Sequence, residues 1–107
     1  MTRRPDPGRA GRPGARPCLD PRRVAVAFVG GEAVLLDLRT YRATRANPVA
    51  ARVVALVDGA RTVPAIARAL AAEFGVTGAR ARGDVRRLLA DLERRGFVRA
   101  AGSPRGR

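Results

Sequence analysis

The sequence predicts an α+β fold, a winged helix-turn-helix in which a three-stranded antiparallel sheet is followed by three helices. Three observations predict it. Apolar and β-branched residues crowd two short runs, Val24–Val29 and Ala33–Leu38, separated by Gly30-Gly31. From Asn47 onward the apolar positions recur with helical spacing instead. Gly59, Gly75 and Gly96 then divide that half into three segments, two of them opened by the capping residues Asn47 and Thr62.

The elements follow in order. Residues 1–21 are dominated by Pro, Gly and Arg. Such a segment buries too little apolar area to offset its ordering entropy, so it is expected to be a disordered tail. The folded domain is expected over residues 22–100, with a second disordered tail at 101–107. Gly30-Gly31 suits a two-residue hairpin turn because Gly accepts the positive φ such turns need. Arg39-Thr40 make the next turn, and Tyr41–Ala46 is predicted as a third, more polar strand. Its polarity marks an edge, whose unpaired N–H and C=O groups invite another chain. Asn47 and Pro48 open the first helix, whose stripe is Val49, Val53, Leu56 and Val57, and Gly59 is expected to end it. Thr62 caps the second, with Val63, Ile66, Ala67, Leu70, Ala71 and Phe74 as its buried stripe and Gly75 as its stop. The third begins near Thr77–Ala79. Its stripe is Ala81, Val85, Leu88, Leu89 and Leu92, and Gly96 supplies a left-handed end before Phe97-Val98 fold back.

Composition narrows the function. A chain of 107 residues suits one small domain, with little left over for an enclosed catalytic pocket. There is no His, so the commonest general base and metal ligand is missing. Cys18 is the single cysteine, which excludes an internal disulfide and a Cys-based zinc site. The acids Glu32, Asp37, Asp58, Glu73, Asp84, Asp91 and Glu93 each have a structural role in a turn, a helix start or an ion pair. No phosphate-binding glycine loop is present. The expectation is a protein without enzymatic activity, cofactor or metal. No segment reaches the roughly 18 apolar residues of a membrane span. Arg22-Arg23 ahead of Val24–Val29 weakly resembles a twin-arginine export signal, but the apolar run stops at Gly30. The expectation is therefore a cytoplasmic protein without a membrane partner.

All 22 basic residues are Arg, and the net charge is +13. Residues 1–23 carry +5, residues 24–98 carry +5 and residues 99–107 carry +3, so most of the excess lies toward the ends. The third helix holds Arg80, Arg82, Arg86, Arg87, Arg94 and Arg95. In a helix-turn-helix that helix could enter a DNA major groove, which makes a winged-helix transcriptional regulator the competing reading. Against nucleic acid as a partner, Asp84, Asp91 and Glu93 share the helix and would face phosphates, and a helix of mixed charge is commonly a solvated face.

Several segments together resemble a known family. They are Gly31-Glu-Ala-Val-Leu-Leu-Asp-Leu-Arg-Thr40, Asn47-Pro-Val-Ala-Ala-Arg-Val-Val54 with Asp58-Gly59, Thr62-Val-Pro-Ala-Ile-Ala-Arg-Ala-Leu70, and Asp84-Val-Arg-Arg-Leu-Leu-Ala-Asp-Leu92 followed by Arg95-Gly-Phe-Val98. Their order and spacing are similar to the PqqD-like RiPP recognition elements, over roughly residues 24–98. The resemblance implies that the leader peptide of a ribosomally made precursor adds as a strand to the edge of the three-stranded sheet, between the third strand and the third helix. It implies a partner enzyme as well, a leader peptidase or another maturation enzyme. The look of the segments is most similar to the stand-alone leader-binding proteins of lasso-peptide biosynthesis. Carried onto this sequence, the pairing edge is Tyr41, Arg42, Ala43, Thr44 and Arg45, and the groove wall is Arg82, Val85, Arg86 and Leu89. The chain departs from the family at five positions. Tyr41 stands where the family usually has Gly, Ala43 and Thr44 where it often has aromatics, Ala46 where it often has Leu, and Val54 where it often has Trp.

Overall fold

The computed structural model describes residue 10 and residues 14–101. Its elements in chain order are β1 (Arg16–Leu19), β2 (Val24–Val29), β3 (Glu32–Asp37), β4 (Ala43–Ala46), α1 (Pro48–Leu56), α2 (Val63–Phe74), α3 (Gly78–Arg94) and β5 (Val98–Ala101). The strands β2, β3 and β4 form an antiparallel sheet in that order, and three helices follow it. The fold is α+β, as the sequence predicts.

The first hairpin turns at Gly30, whose φ is 61°. The second is built around Asp37. Its carboxylate accepts from the backbone N–H of Arg39 at 2.8 Å and of Thr40 at 3.4 Å. These bonds, Arg39's foremost, hold the Asp37 carboxyl below its ordinary value against the smaller effect of desolvation. Tyr41 donates its N–H to the Asp37 carbonyl at 2.7 Å and takes a left-handed φ of 61° to do so. The third strand is two residues shorter than predicted because Tyr41 and Arg42 belong to this turn.

Each helix starts on a side-chain cap. Asn47 Oδ1 accepts from Ala50 N–H at 2.9 Å, Thr62 Oγ1 from Ala65 N–H at 3.4 Å and Thr77 Oγ1 from Arg80 N–H at 3.1 Å. Helix α1 stops at Leu56, before the predicted Gly59. Gly59, with φ 81°, instead turns the chain so that its N–H reaches the Pro17 carbonyl at 2.9 Å. Helix α3 ends in a Schellman motif. Gly96, φ 77°, donates to the Glu93 carbonyl and Phe97 N–H to the Leu92 carbonyl, both at 2.9 Å. Leu92 and Phe97 are both buried, the apolar contact that goes with this ending.

The core joins Ala33 and Leu35 of the sheet to Val53, Val54 and Leu56 of α1, Ile66 and Leu70 of α2, and Val85, Leu89 and Leu92 of α3. Phe74, expected in the buried stripe of α2, is instead 37% exposed. The larger correction concerns the first tail. Arg16–Leu19, placed in a disordered segment by composition, form β1, which pairs antiparallel with β5 from Arg16↔Ala101 to Leu19↔Val98. Pro17 is fully buried, and Cys18 bridges to Asp58. The partner strand lies some eighty residues away in sequence, so no local pattern announces the pairing. The tails at 1–9, 11–13 and 102–107 lie outside the described residues. Among the described residues no helix is long and apolar enough to cross a membrane.

Candidate functional site

Strand β4 closes one side of the three-stranded sheet. Its register on β3 runs from Leu36↔Ala43 through Leu35↔Thr44 and Val34↔Arg45 to Ala33↔Ala46. Asp37 N–H donates to the Arg42 carbonyl at 2.9 Å, so that pair is hydrogen-bonded. In an antiparallel ladder bonded and non-bonded pairs alternate. Thr44 and Ala46 therefore turn their backbone groups inward to β3. Ala43 and Arg45 turn their N–H and C=O outward, to an edge that is open among the described residues.

Side chains alternate across the same strand. Ala46 is buried beside Ala33 on the helix side, and Thr44 lies on that side too, opposite the buried Leu35. Arg45 lies on the other face, paired with Glu32 at 3.1 Å. The end of α3 reaches the edge directly, since Arg95 Nη1 donates to Thr44 Oγ1 at 3.1 Å.

A shallow cavity of about 430 Å³ lies between the start of α1 and α3, and reaches the β4 side at Asn47, the residue that follows the strand. Val49, Ala50, Val53 and Leu88 give it an apolar base, with Asn47, Asp84, Arg87 and Asp91 around them. Asp84 is paired with Arg87 and, at 3.8 Å, with Arg80. Asp91 is paired with Arg94 at 3.1 Å and Arg95 at 3.3 Å. Four guanidinium groups surround two carboxylates, which leaves this flank of α3 net positive. It also commits four of the six exposed arginines of α3 and its C-cap to local ion pairs, which weakens the case for α3 as a reader of DNA.

The structure separates the residues chosen from sequence. Ala43, Thr44 and Arg45 form the edge, with Tyr41 and Arg42 in the turn leading into it. Val85 and Leu89 have 0% exposure and belong to the core, so they offer no surface to a ligand. Arg82 and Arg86 are exposed but do not line the cavity. The reason is helical geometry. Residues two apart lie about 200° apart around the axis, so Arg82 and Arg86 sit on the flank opposite Asp84 and Leu88. The residues missed are Asp84, Arg87, Leu88, Asp91 and Arg95 on α3, and Asn47, Val49, Ala50 and Val53 at the start of α1. One signal for the latter was present in the sequence: α1 begins directly after β4, so its first turns must flank the edge.

The sequence profile of the family described as coenzyme PQQ synthesis protein D (PqqD) matches residues 32–98. The chain belongs to the PqqD family. The matched span holds β3, β4, the three helices and thus every residue of the edge and cavity. Two solved structures share the PqqD-family fold seen here. One, described as TbiB1 in complex with the TbiA(beta) leader peptide, has a TM-score of 0.69 at 24% identity, over 82% of this chain and 99% of that one. The other, described as lasso peptide synthetase B1 complexed with the leader peptide, has a TM-score of 0.69 at 27% identity, over 79% and 99%. Among curated proteins none matches.

Proposed function

We propose that this protein binds the leader peptide of a ribosomally synthesised precursor by β-strand addition to β4 and presents it to a modifying enzyme or leader peptidase in lasso-peptide biosynthesis. The observation that carries the reading is the open edge of β4, with the backbone groups of Ala43 and Arg45 turned outward alongside a cavity. Membership of the PqqD family supports it, as does the likeness to a lasso peptide synthetase B1 that was solved with its leader peptide.

Magnitudes decide how the work divides. Two outward residues supply four ladder groups. At about 1 kcal/mol net for each bond, they give ~4 kcal/mol, roughly a millimolar Kd. Micromolar binding needs ~8 kcal/mol. Side chains entering the cavity must therefore contribute about as much again, which is how strand addition acquires selectivity. Tyr41 adds an exposed ring at the start of the edge. The protein carries out no chemistry of its own in this role and holds a substrate for its partner.

The test is an NMR titration with the synthetic leader of the precursor encoded in the same gene cluster. Amides of Ala43 and Arg45 are expected to shift and to gain protection from exchange, with further shifts at Val49, Ala50 and Leu88. Unchanged amides over residues 41–46 at millimolar peptide would overturn the reading.

A further inference from the structure

We propose that Arg95 is a specificity-determining residue of this groove, which reads a carboxylate on the bound peptide at the position paired opposite Thr44. The inference rests on the strand-addition reading above and adds the chemistry of one peptide position to it.

The backbone at Arg95 is fixed from both sides. The Schellman ending at Gly96 and Phe97 locks the turn that follows it. The Arg95 carbonyl accepts from Arg23 Nη2 at 3.2 Å, and the Arg23 guanidinium fills the space where a Cβ on Gly96 would lie, 2.6 Å away. From this anchored position the Arg95 side chain crosses to the sheet edge. Its Nε faces Asp91 Oδ2 at 3.3 Å and its Nη1 donates to Thr44 Oγ1 at 3.1 Å. A guanidinium has five N–H donors, more than these two contacts engage. The side chain is 40% exposed, enough for a ligand to reach it.

Thr44 places that acceptor. It lies on the helix side of β4, and its backbone bonds inward to β3. On a strand added outside β4, the residue directly opposite Thr44 would stand on the same face, with its Cβ about 4.5–5.5 Å from that of Thr44. Its side chain would lie under the Arg95 guanidinium. A carboxylate there is a stronger acceptor than the neutral Thr44 hydroxyl, because charge-assisted hydrogen bonds are about twice as strong as neutral ones. Charge supports the choice as well. At this end of the groove Arg94 and Arg95 both pair with the Asp91 carboxylate, at 3.1 Å and 3.3 Å, so two guanidinium groups converge on one acid. An Asp or Glu on the peptide completes the set, whereas a Lys or Arg there meets repulsion.

The probe is the synthetic leader peptide of the titration above. Its residue opposite Thr44, located by cross-strand NOEs, is set in turn to Asp, Asn and Lys, and the affinities are measured by calorimetry at two salt concentrations. The Asp peptide is expected to bind about tenfold more tightly than the Asn peptide, with the Lys peptide weakest and the spread narrowing in high salt. Arg95→Gln should erase the Asp preference. Arg82→Gln, the same charge loss on the opposite flank, should keep it. Thr44→Val, which removes the competing hydroxyl, should keep or enlarge it and reports on the site without altering Arg95. If the Asp and Asn peptides bind equally to the wild type, or the preference survives Arg95→Gln, the inference is overturned. Continued shifts at residues 43–46 in that case would leave strand addition standing, whereas loss of all peptide binding by the wild type would count against strand addition itself.

Discussion

The two edges of the three-stranded sheet offer nearly the same backbone and differ in what stands beside them. On β4 the outward groups belong to Ala43 and Arg45. On β2 the bond from Leu38 N–H to the Arg23 carbonyl, with the register Ala25↔Leu36 and Ala27↔Val34, turns the backbone of Val26 and Phe28 outward. The β2 edge is the longer of the two and the more apolar, and by composition alone it is the more inviting strand to extend. Among the described residues it packs chiefly on β3, with no helix as its main neighbour. The cavity near β2 lies at the hairpin tip, among Phe28, Gly30, Phe74 and the Arg52–Glu73 ion pair, and does not run beside the strand. Strand β4 runs directly into α1, whose cavity with α3 reaches Asn47, and the Arg95–Thr44 bond ties the strand to the end of α3. Unpaired backbone makes an edge adhesive to any strand, and the neighbouring helices make it selective.

The largest expected effect comes from the core face of the helix beside this edge. Leu89 is fully buried on the core face of α3. Leu89→Ala removes its packing and leaves a cavity, at about 3 kcal/mol. That is a large part of the stability of a domain this small. In urea denaturation the midpoint should fall accordingly. At temperatures where the variant stays folded, peptide affinity should change far less than stability does, because Leu89 does not face the groove. An affinity loss with unchanged stability would return Leu89 to the groove wall where the sequence reading placed it.

That misplacement shows where legibility ends. The order of strands and helices was readable because each signal is local: Gly30 in its turn, Asn47 and Thr62 as caps, Gly75 and Gly96 as stops. The open edge was readable for the same reason, from the polarity of residues 41–46. Three things were not. Strand β1 exists only because residues 98–101 return to pair with it, and Arg-Pro-Cys-Leu has no strand pattern of its own. Phe74 fits the helical period of a buried stripe, yet among the described residues its ring stays partly exposed. The flank of α3 that meets the sheet depends on how the helix is rotated against β4. The stripe fixes the core direction but leaves two flanks that look alike, both rich in Arg. Sequence reasoning took the flank of Arg82 and Arg86, whereas the cavity lies with Asp84, Leu88 and Asp91.

A lighter intervention compares the edges directly. Proline has no N–H, and its ring blocks the approach of an added strand, so it silences an edge without removing an inward ladder bond when its position faces out. Arg45 and Phe28 are such positions on β4 and β2. Arg45→Pro should lower leader affinity at least tenfold, through one lost ladder bond of about 1 kcal/mol and the obstruction by the ring. The Arg45–Glu32 pair lost with it is exposed and contributes little. Phe28→Pro should leave affinity within about twofold. The reverse pattern would show that the peptide extends β2.

The smallest effect is expected at Tyr41, where the edge begins. Its φ of 61° lies in the left-handed region that a residue with a Cβ enters at a cost of roughly 1–2 kcal/mol. Its side chain is 77% exposed, so burial does not offset that cost in the free protein. Strain that brings no packing is a sign of use elsewhere. Tyr41→Gly, the residue the family usually carries there, should relieve the strain. After the extra flexibility Gly adds to the unfolded chain, the gain should be about 0.5–1 kcal/mol, visible as a melting temperature a few degrees higher. If the exposed ring lies against the bound peptide, the same variant should bind the leader about fivefold more weakly, roughly 1 kcal/mol. A variant that gains stability and keeps its full affinity would remove Tyr41 from the site and confine the edge to Ala43 through Ala46.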